Sequence, residues 1–369
     1  MILILLLLPF IQIGWSFYIS IQSASLFLFL KRYKYFYSST DLAVGAFLLI
    51  TFISNFIFTT ASYHDYLIIF REILCFMLII ASTYGLKKIS LHSSILTIKI
   101  TIFILFIIVS IQFAGINFYN FFISLPVEMF IANKESLEGI YDNFEYSLRF
   151  RAPATFGEPS YCSGVLTVLY YIQNKYKPSL FFEIITIITI LLMESLAGTI
   201  LMSYLLFIKY SKRIDYSFLF IFVIIMFGSV FLLKDTEIFD RVALLIKFDF
   251  AKDESANIRL VEPFEIINDI FINKGQYLGI SDTQMRTYFS VDRINIDNGI
   301  LYLIIAHGFL IFPILGYISY KIKDVKLFIF FMLLIQLNGG ILTFDKTVIY
   351  SILFGFNKTL NKSNSAQIA

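Results

Sequence analysis

The stretch Ser179-Leu-Phe-Phe-Glu-Ile-Ile-Thr-Ile-Ile-Thr-Ile-Leu-Leu-Met-Glu-Ser-Leu-Ala-Gly-Thr-Ile-Leu-Met-Ser-Tyr-Leu-Leu-Phe207 decides how this chain is built. A helix of about 20 apolar residues crosses a hydrocarbon core of about 30 Å. This run is half as long again, and Glu194, Ser195 and Gly198 interrupt it near the middle. Basic residues flank both ends: Lys175 and Lys177 before it, Lys209, Lys212 and Arg213 after it. Such clusters concentrate in cytoplasmic loops, so both ends belong on one side and the run must cross and return. It does so as two short helices or as a re-entrant hairpin buried in protein, because lipid leaves backbone polar groups unpaired. Leu327 to Phe356 repeats the pattern, interrupted by Asn338-Gly339-Gly340 and Asp345-Lys346, between Lys321/Lys323/Lys326 and Lys358/Lys362.

Outward from these two blocks the chain is uniformly apolar. Of its 369 residues 58% are hydrophobic and only 15% charged, with a mean hydropathy of +0.80. That leaves too little polar surface to cover a soluble globule. Further spans are expected near 5 to 29, 42 to 61, 66 to 86, 96 to 116, 156 to 173, 216 to 233 and 299 to 319. The expected fold class is all-α: a single polytopic transmembrane domain over 1 to 357, a helical bundle of about 11 transmembrane segments. External loops are expected at 117 to 152 and 234 to 297, and a short cytoplasmic tail at 358 to 369. The recurring lysine clusters put the N-terminus outside and the C-terminus inside. Met1 to Leu30 has no charge before Lys31 and lacks a basic n-region, so it reads as a permanent span. The formal charge of +3 is sorted by side, which signals orientation rather than affinity for nucleic acid.

The second external segment, 234 to 297, holds twelve Asp/Glu and eight Lys/Arg. Within it, Glu262 to Asn273 reads as a short amphipathic helix, with Phe264, Ile267, Ile270 and Phe271 on one face and Glu262, Glu265 and Asp269 on the other. The competing reading is a lid that only covers the core. The stretch Arg149-Phe-Arg-Ala-Pro-Ala-Thr-Phe-Gly-Glu-Pro-Ser-Tyr-Cys-Ser-Gly164 sets two arginines and a carboxylate where a polar segment enters an apolar helix. Guanidinium groups stay protonated and hold phosphate oxygens in bidentate fashion, and a carboxylate at an apolar boundary is suited to take a proton. That combination fits an anionic, lipid-linked substrate. No phosphate loop, HExxH or GxSxG occurs, and Cys75 and Cys162 have no metal or redox spacing. His64 and His92 stand at loop edges, and His307, deep in an expected span beside Gly308, reads as a packing residue.

Arg151 followed by Phe156-Gly157-Glu158-Pro159-Ser160-Tyr161 resembles the span entry of bacterial O-antigen and capsular polysaccharide repeat-unit polymerases. Glu194-Ser-Leu-Ala-Gly-Thr199 looks like that family's short Ser-x-x-Gly hairpin, without the usual arginine after the serine. Arg259, then Leu278-Gly279-Ile280, resembles its large-loop pattern, and Asp297-Asn298-Gly299 with Gly308 resembles the entry of its next helix. The spacing from arginine to glycine is not the regular repeat of some members, so their catch-and-release assignment is not carried over. The resemblance covers roughly 145 to 320.

It implies a metal-independent glycosyltransferase, without a cofactor, in the bacterial cell inner membrane, acting on its outer face in lipopolysaccharide or capsule synthesis. Donor and acceptor are both undecaprenyl-diphosphate-linked oligosaccharides, with a chain-length regulator and a flippase as implied partners. Arg151 and Arg259 hold the diphosphate in this reading and Glu158 is the catalytic base. Arg149, Arg286, Arg293, Asp297 and Asn298 bind substrate, with Asp297 competing for the base role. Bland alternatives stand beside each: a surface anchor or ion pair for the arginines, a helix-dipole contact for Glu158 and an N-cap for Asp297. Two other functions are weighed. An O-antigen ligase carries Asn-Pro where this chain has Glu158-Pro159, and a lipid-sugar flippase predicts charge lining a path across the bundle.

Overall fold

The computed structural model describes residues 12–13, 19–20, 37–58, 63–86, 91–119, 152, 154, 156, 159–211, 261–288, 298–338, 342–343 and 346–356. The expected span at 216 to 233, most of both external loops and the tail at 358 to 369 lie outside these residues. The helices are α1 (Ser39–Phe58), α2 (Tyr63–Leu86), α3 (Leu91–Tyr119), α4 (Pro159–Tyr176), α5 (Leu180–Leu192) and α6 (Leu196–Tyr210). They continue with α7 (Glu262–Asn268), α8 (Asp282–Arg286), α9 (Gly299–His307), α10 (Ile311–Ile322) and α11 (Val325–Asn338), and α12 (Lys346–Phe356).

Three helical stretches are long and apolar enough to cross a membrane: Asp65–Leu86, Ser94–Gly115 and Gly299–Ile322. Each reaches about 33 Å or more at 1.5 Å per residue. α3 shows how such a helix lives between protein and lipid. Ile98, Ile102, Leu105 and Val109 are fully buried, whereas Leu96, Ile100, Phe103, Ile107 and Ile111 form an exposed apolar stripe on the other side. A stripe of that kind is unstable against water and comfortable against acyl chains.

Both interrupted blocks are broken where the polar residues fall. α5 and α6, of 13 and 15 residues, and α11, of 14 residues, extend only about 20 Å each, short of a full crossing. The first break lies at Met193–Glu194, where Glu194 takes a left-handed φ of 49°, and Ser195 caps α6 by accepting from the Gly198 N–H at 3.1 Å. The second lies between Asn338 and Lys346.

α4 and α12 form the middle of the bundle. Every residue of α4 from Pro159 to Tyr170 is buried, as is every residue of α12 from Thr347 to Leu353. Helices apolar all round belong inside. The hydroxyls on α12 serve as interhelical glue: Ser351 Oγ lies 2.9 Å from Ser82 Oγ of α2 while donating to the Thr347 carbonyl at 2.7 Å.

The helix ends that carry the lysines gather at one end of this bundle. Lys321 Nζ of α10 lies 3.1 Å from the fully buried Asp41, which also closes a capping box with Ser38 at the start of α1. Glu183 of α5 is held by Lys209 and by the Tyr170 and Tyr210 hydroxyls, each at 2.6 Å. Tyr204 donates to the Lys326 carbonyl at 2.9 Å.

Of the N-terminal run expected as a helix near 5 to 29, only Gln12–Ile13 and Ile19–Ser20 are described, and these pair antiparallel; the rest of that run lies outside the described residues. The span expected near 299 to 319 is found as Gly299–Ile322, long and apolar enough to cross a membrane. It is pinched at Gly308, φ 56°, with a tighter turn over Gly308–Leu310. In the amphipathic helix Ile270 is buried and Ile267 and Phe271 pack beside it as expected, but Pro263 and Ile266 join that face, while Phe264 is 58% exposed.

Candidate functional site

The stretch from Ala152 to Gly164 is pinned from its first residues. Gln112 of α3 clamps Ala154 through both amide atoms, donating to its carbonyl at 2.9 Å and accepting from its N–H at 2.8 Å. Ala154 takes a left-handed φ of 54°. Phe156 is buried edge-on against Tyr161, centroids 5.2 Å apart. α4 then starts with Pro159, whose fixed φ and missing N–H suit a first helical turn.

Both helix breaks land on consecutive residues of this helix. Ser195 Oγ meets Ser163 Oγ at 2.8 Å, and Gly198 leaves the room for it, since a Cβ there would lie 2.5 Å from Ser163 Cβ. One residue on, a Cβ at Gly164 would lie 2.7 Å from Nδ2 of Asn338. From the far side of the second break, Lys346 Nζ sits 5.6 Å from the centre of the Tyr161 ring. Replacing Gly198 with alanine is therefore expected to cost about 1–3 kcal/mol through overpacking. A thermal melt of the purified variant checks this, and a midpoint equal to the wild type would refute the tight contact.

The second part of the site is the segment 261–288. It packs on α9 through Ile266, Ile270, Ile280, Met285 and Ile305. The Leu278-Gly279-Ile280 turn lies backbone-to-backbone on the pinch between α9 and α10. Ile280 N–H donates to the Ile305 carbonyl at 2.9 Å and Phe309 N–H to the Tyr277 carbonyl at 3.0 Å. Gly279 has φ 89° and Gly308 φ 56°. A Cβ on the first would meet the Ala306 carbonyl oxygen at 2.3 Å, and one on the second the Tyr277 carbonyl oxygen at 2.1 Å. The start of α8 is held by buried Asp65 of α2, which accepts from the Thr283 N–H and hydroxyl, both at 2.7 Å. A carboxylate at a helix start is doubly favourable, as acceptor and as dipole partner.

Beneath this turn lies a buried ionisable pair. His307 Nε2 and Glu72 Oε2 are 3.1 Å apart, with side chains 1% and 2% exposed, though their orientation is not that of a hydrogen bond. The Tyr302 hydroxyl donates to Glu72 Oε1 at 3.3 Å. Asp65, Ser281 and Met285 help to line a small pocket beside the pair. The sequence alone reads His307 as packing and marks Glu72, with Arg71 and Glu194, only as a charge inside an expected span, without a partner for it. An ionisable group inside an apolar helix is the signal that marks both.

On the surface of the same segment, Asp269 accepts from Lys274 at 2.8 Å, Asn273 at 3.0 Å and Tyr288 at 2.8 Å. The Lys274 hydrogen bond first, then those from Asn273 and Tyr288, holds its carboxyl down at about 2 against an ordinary 3.8. A depressed carboxylate stabilises above its unfolded value and stops doing so as the pH falls through its folded one. The anchoring of this segment is thus expected to weaken between about pH 4 and pH 2. Pepsin cleavage within 261–288 should rise over that window, and Asp269→Asn should remove the difference. Equal pH dependence in both proteins would contradict it.

Of the residues singled out from the sequence, Arg149, Arg151, Glu158, Arg259, Arg293 and Asp297 lie outside the described residues. Arg286 closes α8, on the segment docked to α2. Asn298 is fully buried and committed to α9, its Oδ1 accepting from the Leu301 N–H at 3.0 Å. The cap role weighed for Asp297 is thus filled by its neighbour. Among the described residues no three His, Cys, Asp or Glu side chains are grouped to hold a metal ion. A larger apolar pocket has Phe76, Tyr84, Tyr317 and Lys321 in its walls and reaches Leu342 in the break between α11 and α12.

These features define a helical membrane protein whose polar interruptions converge on one buried helix. No protein-family model matches the sequence, and no curated protein or solved structure is significantly similar to it.

Proposed function

We propose that this chain polymerises undecaprenyl-diphosphate-linked oligosaccharide repeat units, transferring the growing glycan from its lipid diphosphate to the sugar of a new lipid-linked unit. In this reading the bundle has about 11 crossings in the bacterial inner membrane, with the α4 entry on the outer face. The observation that carries the proposal is the convergence on α4. Ser195 and Asn338, beside the two breaks, meet Ser163 and Gly164, which follow directly in sequence the Arg151-to-Ser160 stretch that resembles the polymerase entry. Interrupted helices that meet inside protein are where membrane proteins build polar sites. The docking of the Leu278-Gly279-Ile280 turn on Gly308 adds support, because it joins the two other stretches that carry the resemblance.

The chemistry follows from the substrate. The bond from the sugar C1 to the diphosphate oxygen breaks, the bond from C1 to the acceptor oxygen forms, and the acceptor proton passes to a base. The diphosphate leaves with an additional negative charge, which Arg151 and Arg259 are assigned to stabilise. Glu158 is assigned as the base. Deleting the gene in its host and resolving the surface glycan on a gel tests the proposal. Loss of the long-chain ladder with a single repeat unit retained is the predicted outcome. Loss of every attached repeat would overturn it in favour of ligation or flipping.

A further inference from the structure

The break between α11 and α12 is the one place near the α4 entry where polar side chains gather and find no partners among the described residues. Both side-chain atoms of Asn338 and the hydroxyl of Thr343 are buried there without a hydrogen bond. Buried amides and hydroxyls are nearly always paired, so unpaired ones point to a missing ligand or water. Lys346 is half-buried, and its ammonium has the Tyr161 ring beside it, 5.6 Å from the centroid. No carboxylate among the described residues lies within ion-pairing distance of it. Tyr161 and Gly164, the residues that Lys346 and Asn338 approach, stand three apart on α4 and so share one face. Among the described residues, a cation with no carboxylate beside it and an unsatisfied amide therefore approach the first two turns of an 18-residue helix, the end of a helix that favours negative charge.

We infer that Lys346 and Asn338 form a second, arginine-independent half of the substrate site. Lys346 binds a phosphate oxygen of the polyprenyl diphosphate, and the Asn338 amide binds a hydroxyl of the attached sugar. This deepens the function proposed above and rests on it for the identity of the ligand. Lysine acts here as a point charge, so the geometric demand is modest and arginine is an acceptable substitute. Gly164 has its own part, since only a residue without a Cβ lets the Asn338 amide lie against α4.

Two measurements on the full chain in phosphatidylcholine nanodiscs test the inference. In the wild-type protein, acetylation of Lys346 by a lysine-reactive ester is followed by peptide mass spectrometry. Undecaprenyl diphosphate is expected to slow it at least about fivefold, with phosphatidylglycerol having no such effect. Equal protection by both would assign the site to bulk anionic lipid, and no protection by either would overturn it. In variants, Lys346→Ala is expected to weaken binding of undecaprenyl diphosphate at least about tenfold, with Lys346→Arg restoring most of it. Asn338→Leu is expected to raise the thermal midpoint, because it removes an unsatisfied buried amide, and to slow chain growth at least about tenfold. A merely structural asparagine would lose stability instead, which would sink its assigned role. Wild-type protein that binds the lipid without extending chains would refute the proposed function and leave the inference standing. Chain growth and lipid binding unaffected by Lys346→Ala would do the reverse.

Discussion

Replacing Gly308 with valine is expected to release the 275–288 segment from the bundle and to abolish chain growth. Two effects add at this position. A β-branched residue at φ 56° is strained by about 1–3 kcal/mol. Its Cβ would also lie 2.1 Å from the Tyr277 carbonyl oxygen and 2.6 Å from the Gly279 nitrogen. Backbone cannot step aside as a flexible side chain does. Relief requires breaking the Phe309-to-Tyr277 and Ile280-to-Ile305 hydrogen bonds that hold the turn, for a total of roughly 3 kcal/mol or more. Hydrogen exchange followed by mass spectrometry is the check. Peptides spanning 275–288 should lose protection while those of α4 keep theirs. Unchanged protection of the turn would show that the glycine contact does not anchor it.

The second large effect concerns Glu72 and His307. Removing one of two buried polar groups that face each other leaves the other without compensation and costs about 1–3 kcal/mol, whereas replacing both with apolar groups is often nearly neutral. Glu72→Leu and His307→Leu should each lower the thermal midpoint sharply, and the double variant should recover most of the loss. Four melts, arranged as a double-mutant cycle, measure the coupling. If the double variant loses the sum of the single losses, the pair is not coupled and each residue acts alone.

How legible each feature is in the sequence follows from how it is encoded. The breaks at Glu194-Ser195 and near Asn338 are readable because a polar group inside a long apolar run is costly in lipid, and flanking lysines limit the route of the chain. The pinch at Gly308 is not, because a single glycine in a helix is a weak signal. Its meaning depends on Gly279, which lies 29 positions away in the chain and becomes a neighbour only on folding. The Glu72–His307 pair is hidden for the same reason, with 235 positions between its members. Lys346 is visible as an interruption, but its place over Tyr161 is tertiary information. Phe264 falls on the wrong face in a sequence reading because a short helix offers too few apolar positions to fix its phase, and docking against Ile305 decides the matter.

The function proposed above assigns Arg151 and Arg259 to the phosphates of a lipid-linked sugar during its transfer. The most direct measurement gives the purified chain, in nanodiscs, its proposed substrate alone. Undecaprenyl-diphosphate-linked repeat units are incubated with the wild-type protein and with the Arg151→Ala, Arg259→Ala double variant, and glycan length and released undecaprenyl diphosphate are followed together. A ladder of repeats accompanied by one undecaprenyl diphosphate per added unit, absent from the double variant, is the predicted result. No ladder from the wild type, or the same ladder from the double variant, would contradict it.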